Sequence, residues 1–226
     1  MIAIVTARGG SKRIPKKNIK DFFGKPIISY SIEAALNSQL FDRVMVSTDS
    51  QEIKEVAIKY GAEVPFMRSE RTSNDFATTR DVLIEVIGKY KKVGVEFDEF
   101  ACIYPTAPFI TSSLLIDAYK KFKSEDANAL IPVVRFSFPP QRAFVVKDKF
   151  IGLFDKVSFP KRSQDLEPLY HDCGQFYFYK TYEFVNQKNV ILDKTIGYKL
   201  DDQYVQDIDT ISDWKTAEMK YKLLRA

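Results

Sequence analysis

The chain has 226 residues, 45% of them hydrophobic and 28% charged, with a formal net charge of +4. That size suits one α/β domain with a sizeable core, and that balance is ordinary for a globular protein. The surplus of charge is too small to argue for nucleic acid, no apolar run approaches bilayer length, and Cys102 and Cys173 have neither disulfide-framework nor zinc spacing.

The chain opens on a strand-like run rather than a basic segment followed by an apolar one, so no signal peptide is expected, and a reducing cytoplasm is the expected location. Residues 2–6 read as a buried first strand, followed by a Gly-rich basic loop. Pro26 is expected to open a helix in which Ile28, Ile32, Ala35 and Leu36 recur at helical spacing. Residues 44–47 read as the second strand. Ile53, Val56, Ala57 and Tyr60 stripe a helix that Gly61 stops, and Val82, Leu83, Val86, Ile87 and Tyr90 stripe another. Residues 100–104 read as a central strand closed by Pro105, and Thr111 as the N-cap of a helix carrying Leu115 and Ala118. Residues 129–136 are strand-like, although Pro132 suggests an edge or a bulge. Residues 139–170 are irregular, aromatic and interrupted by Pro139, Pro140, Pro160 and Pro168, which suggests a hairpin arm outside the main sheet. Strand character returns at 175–179. Thr210 or Ser212 caps a last helix whose inner face is Ile211, Trp214, Ala217, Tyr221 and Leu224. The alternation predicts a mostly parallel twisted sheet with helices on both faces, a Rossmann-like architecture in a single domain over 1–226, with an inserted arm at 139–170.

The loop after the first strand holds Arg8, Gly9, Gly10, Ser11, Lys12, Arg13, Lys16, Lys17 and Asn18. It falls at the carboxyl end of a strand, where open α/β sheets bind ligands. Adjacent glycines let backbone amides approach phosphate oxygens. Arg8 offers a planar fork, and Lys12 and Lys17 add mobile point charges. A local positive field of this kind suits a small anion such as a triphosphate. The spacing is neither that of a P-loop nor that of a dinucleotide fingerprint. Late in the chain Asp207 and Asp209 flank Ile208, so in an extended segment both carboxylates project to one side. Mg²⁺ is commonly held by such a pair completed by phosphate oxygens and water, yet most Asp-x-Asp pairs are solvated turns or helix caps.

The loop string, with Ala7, Arg8, Ser11, Lys12, Pro15, Lys17 and Asn18 at matching positions, resembles the signature loop of CMP-sugar synthetases, which activate sialic acid and related nonulosonic acids. The resemblance continues in VMVSTDS, SNDFATT, YPTAPF and QDIDTISD, and ARGGSKRIPKKN with HDCGQFYFY is most similar to the pseudaminic acid branch. Arg13 departs from the glycine of many sialic acid synthetases, and Tyr104 from their glutamine. The resemblance implies transfer of CMP from CTP to the anomeric hydroxyl of an acidic nine-carbon sugar. Arg8, Gly9, Gly10, Ser11, Lys12, Lys17 and Asn18 would meet the nucleotide, with Lys17 at the α-phosphate. Arg68 and Thr79 would hold the cytosine, and Asp207 and Asp209 the Mg²⁺. Tyr104, Arg162, Gln175 and Phe176, with Tyr177, are the sugar candidates. The resemblance also implies a homodimer in which the arm crosses to the other subunit. Asp75 reads first as a helix cap, and the lone His171 as non-catalytic. The competing readings are CMP activation of a sialic, legionaminic or 3-deoxy-octulosonic acid, a metal-dependent glycosyltransferase, and a nucleotide-binding regulator without turnover.

Overall fold

Residues Ile2, Ala3, Ile4 and Val5 present no polar face to water, and all four are buried in the middle of a sheet. The computed structural model describes residues 1–225. Along the chain run β1 (Ile2–Thr6), β2 (Asp21–Phe22), β3 (Lys25–Pro26), α1 (Ile28–Ser38), β4 (Arg43–Ser47), α2 (Gln51–Lys59), α3 (Glu70–Ser73), α4 (Thr79–Lys92), β5 (Glu99–Ile103) and α5 (Ser112–Ser124). There follow β6 (Ala129–Arg135), β7 (Phe144–Lys147), β8 (Phe150–Leu153), β9 (Tyr170–Asp172), β10 (Phe176–Lys180), α6 (Thr181–Gln187), β11 (Thr195–Leu200) and α7 (Ile211–Leu223).

The main sheet has the order β11-β6-β10-β5-β1-β4, with β9 added beside β6. β4, β1 and β5 run parallel, as do β6 and β11, while β10 and β9 run against their neighbours. The chain leaves β1 to pair β4 on one side and returns to pair β5 on the other. The mouth of β1 is therefore a topological switch point, the place where such sheets open a crevice.

Strand alternation sorts the core into two faces. Ala3, Val5, Val46, Ile103, Phe176 and Phe178 pack with Ile32 of α1, Ala57 of α2 and Leu115 of α5. Ile2, Ile4, Phe100, Cys102, Tyr177 and Tyr179 pack with Leu83 and Val86 of α4 and Phe184 of α6. A third cluster joins Ile14 of the basic loop, Phe22, Tyr30 and Ile208 to Trp214 and Tyr221 of α7.

Three expectations change. Pro26 does not open α1: it pairs with Asp21 in a two-residue ladder, and the helix begins at Ile28. Pro132 does not mark an edge, because β6 is flanked by β11 on one side and by β10 and then β9 on the other. The proline sits where that second neighbour changes, and its carbonyl accepts from the Cys173 amide at 3.1 Å. Ile211 is half exposed and does not belong to the inner face of α7. The edge strand β11 and the short α6 carry too little apolar period to be read from the sequence. At Gly197 a Cβ would meet Val133 at 3.2 Å, so the glycine admits β11 close to β6. Within 139–170, β7 and β8 pair only with each other as a hairpin outside the main sheet, while Tyr170 already belongs to β9 within it.

Candidate active site

Beyond β1 the chain turns through residues 7–16 and is anchored by Ile14, which is fully buried beside Ile208 in the cluster under α7. This apolar anchor brings the basic loop against the late carboxylates. A cleft of about 450 Å³ lies between them and is lined by Arg8, Ser11, Lys12, Arg13, Lys17, Asn18, Arg68, Asp75, Thr79, Tyr104 and Asp209, among others. Arg8 and Asp209, separated by most of the chain, thus share one cavity.

Lys17 is largely covered. Its Nζ donates to the Ile208 carbonyl at 2.6 Å and lies 3.3 Å from Asp209 Oδ1. Arg13 meets the same Oδ1 at 2.9 Å. Arg8 and Lys12 converge on Asp75 at 2.7 and 2.6 Å. Hydrogen bonds from Lys12, and then from Arg8, hold the Asp75 carboxyl below the usual carboxylate range. Asp75 is therefore no helix cap: Thr78 and Asp81 form the capping box of α4.

The glycines do different work from that expected. The Gly9 amide donates to Asp49 Oδ1 at 2.7 Å rather than facing the cleft, and a Cβ there would meet Ser50 Cβ at 3.0 Å. Gly9 is required by close approach to the neighbouring loop. Gly10 is exposed with open space around it. Asn18, buried, donates from Nδ2 to the Arg8 carbonyl at 2.9 Å and staples the loop. Arg68 is not a surface arginine: it is buried, its guanidinium donates to the Ser47 carbonyl at 2.6 Å and to Ser47 Oγ at 3.1 Å, and burial pulls its pKa below the ordinary value.

Asp207 projects beside Gly174, whose ideal Cβ position lies 3.7 Å from Asp207 Oδ1 and 3.9 Å from Tyr104. Partial burial, and next the charge of Asp209, raise the Asp207 carboxyl above the usual range. Two mutually repelling carboxylates are a hard-oxygen donor set suited to a divalent cation, and the described contacts of Asp209 with Arg13 and Lys17 leave its Oδ2 open. No group of three or more His, Cys, Asp or Glu able to hold a metal occurs among the described residues, so a cation here would depend on substrate oxygens as well. Asp201 and Asp202, close to the pair in sequence, have other partners. Asp201 caps the following turn, and Asp202 faces Lys220.

A second cavity of about 390 Å³ adjoins the first through Thr79 and Tyr104, whose hydroxyls stand 3.3 Å apart. Its walls are apolar and aromatic, and it contains Tyr177, His171 and Asp172. Three sugar candidates are not brought here. Phe176 points to the opposite face of the sheet and is fully buried in the core, because strand alternation separates it from Tyr177. Gln175 is buried and donates to the Tyr204 carbonyl at 2.7 Å, leaving no exposed amide. Arg162 stands on the arm, exposed, paired with Asp165 at 2.8 Å. Sequence reasoning missed Asp172, Arg13 as a partner of Asp209, and the link of Asp75 to the loop. The charge of these residues is visible in the sequence, but their neighbours are distant in it.

A family model described as cytidylyltransferase matches residues 2–195, and the chain belongs to that family. Within it, the chain is 42% identical to the pseudaminic acid cytidylyltransferase of Campylobacter jejuni subsp. jejuni serotype O:2, over 98% of this chain and 96% of that protein. It is 31% identical to the CMP-N,N'-diacetyllegionaminic acid synthase of Legionella pneumophila subsp. pneumophila, over 99% and 97%. Among solved structures, a CMP:2-keto-3-deoxy-manno-octonic acid synthetase complexed with CTP superposes with a TM-score of 0.71 at 18% identity, covering 98% of each chain, a likeness of fold.

Proposed function

We propose that this chain transfers CMP from CTP to the anomeric hydroxyl of pseudaminic acid, releasing pyrophosphate. The observation that carries the reading is the single cleft lined by Arg8, Lys12, Arg13, Lys17 and Asp209, opening at Tyr104 into an aromatic cavity. The near-full-length similarity to pseudaminic acid cytidylyltransferases supports the choice of sugar.

In this reading the triphosphate replaces Asp75 as the partner of Arg8 and Lys12. Lys17, held at the Ile208 carbonyl, is a fixed donor for the α-phosphate, where charge develops as pyrophosphate leaves. Arg68 and Thr79 border the cytosine, and Tyr104 separates nucleotide from sugar. The sugar occupies the aromatic cavity. Positioning and charge stabilisation carry such a transfer, with little covalent work for the protein. Asp207 and Asp209 would hold Mg²⁺, which when bound supplies positive charge at the α-phosphate and acidifies the attacking hydroxyl. The working form is a homodimer in which the 139–170 arm, with Arg162, reaches the partner's sugar site. The reaction belongs to the cytoplasm, where CTP is available.

The test is pyrophosphate release from CTP with pseudaminic acid and with N-acetylneuraminic acid side by side, with and without Mg²⁺. Mg²⁺-dependent turnover selective for pseudaminic acid is expected. Turnover with N-acetylneuraminic acid alone would overturn the choice of sugar, and CTP binding without turnover would overturn the enzymatic reading.

A further inference from the structure

We propose that Asp172 determines sugar specificity by accepting a hydrogen bond from the N–H of an acylamino substituent on the acidic sugar. This rests on the placement of the sugar in the aromatic cavity. Asp172 ends β9 and reaches that cavity from the strand edge. Its Oδ1 accepts from the Gly174 amide at 2.8 Å, and the Tyr177 hydroxyl lies 2.9 Å from both oxygens. No ion pair of Asp172 is found among the described residues, and the cavity wall contains no lysine or arginine. Burial first, and then the neighbouring Tyr104 phenol and Asp172 carboxylate, push the Tyr177 phenol well above its ordinary range, so this hydroxyl stays protonated and acts as a donor to the carboxylate.

A carboxylate with two neutral donors and no cation retains accepting capacity toward the cavity. An acidic sugar brings a carboxylate of its own, which Asp172 repels. The sugar's acidic end therefore turns to the basic cleft, and its uncharged substituents enter the cavity. Those substituents meet Ile131, Val133 and Ile196 beside Asp172. An acylamino group satisfies both surfaces at once, N–H on the carboxylate and methyl on the aliphatic wall. A hydroxyl in its place satisfies the carboxylate and leaves the wall uncovered.

The experiment measures steady-state pyrophosphate release by the full chain with two nine-carbon acidic sugars that differ only in acylamino against hydroxyl. Asp172→Asn keeps the side-chain oxygen that accepts from Gly174 and removes the charge. For this variant KM for the acylamino sugar should rise roughly tenfold or more, with KM for CTP nearly unchanged and the preference for acylamino over hydroxyl lost. Tyr177→Phe, which leaves the charge but frees the carboxylate to turn, should move in the same direction by less, and it decides the question if the first variant does not fold. Unchanged sugar KM and preference in the folded variants, or equal losses toward sugar and CTP, overturn the assignment alone. No turnover by the unaltered chain with either sugar overturns the proposed function, and this assignment with it.

Discussion

Asp209 takes Arg13 and Lys17 on one oxygen and has no described partner on the other, so a single side chain at the cleft links the cationic loop to the cation expected with the nucleotide. Asp209→Ala should abolish turnover while leaving the thermal midpoint within a few degrees, because a half-exposed carboxylate contributes little to stability. Residual activity in the presence of Mg²⁺ would remove Asp209 from the metal set. Lys17→Ala should lower kcat by about 10²-fold if its contact tightens as charge develops; an effect confined to KM for CTP would make Lys17 a binding residue. At this scale the residues singled out by charge, Arg8, Lys12, Lys17 and Asp209, do come to line one cleft. What the sequence did not show is where a neighbour decides. Asn18 spends its amide on the Arg8 carbonyl, and Gly9 turns its amide to Asp49, because the loop must first satisfy itself.

Among elements, the joint between the basic loop and the segment preceding α7 matters most. Ile14 and Ile208 are both fully buried in one cluster with Trp214, so packing rather than charge sets the separation of cations and carboxylates. Ile208→Ala should cost about 2–5 kcal/mol in denaturant unfolding and lower kcat, since the carboxylates lose their anchor. A second element-scale contact lies at the start of α3. Glu85 of α4 accepts from the Ser69 amide at 2.9 Å and from the Ser69 and Thr72 hydroxyls at 2.5 Å, with Lys89 at 2.7 Å. Burial alone would raise its pKa, but Lys89 and these donors outweigh it and bring the pKa to about 2. A carboxyl depressed from its unfolded value stabilises the fold fully above that value, and the contribution disappears as pH falls from about 5 toward 2. Glu85→Gln should therefore destabilise the protein near neutral pH, by roughly 2–3 kcal/mol, and the difference from the unaltered chain should vanish in acid. A difference independent of pH would show that the charge is not the cause. The β1 strand, α2, α4 and α5 were legible from periodicity and caps. Edge strand β11 was not, because its burial comes from β6 and not from its own pattern.

At the scale of the whole molecule the arm stands out. Phe150, Ile151, Phe154 and Val157 on it, and Phe138 just before it, are each at least 66% exposed, and large apolar side chains left in water on one segment point to an interaction surface. A homodimer is expected by light scattering at micromolar concentration, and Phe150→Ser with Phe154→Ser should shift it toward monomer and weaken sugar turnover. A monomer in the unaltered chain would remove the partner's Arg162 from the sugar site.

Local rules were enough to read, from the amino-acid order alone, an alternating α/β chain, a basic loop after the first strand and a late carboxylate pair, because strand burial, capping and side-chain charge are properties of short segments. Only the tertiary structure decided which of these groups meet. Arg13 reaches Asp209, Asp75 spans Arg8 and Lys12, Tyr177 enters a cavity while Phe176 leaves it, and Asp172 joins them at a strand end. Each of those outcomes depends on sheet order and on which face a strand turns to its helices, and that is settled by packing the whole core at once.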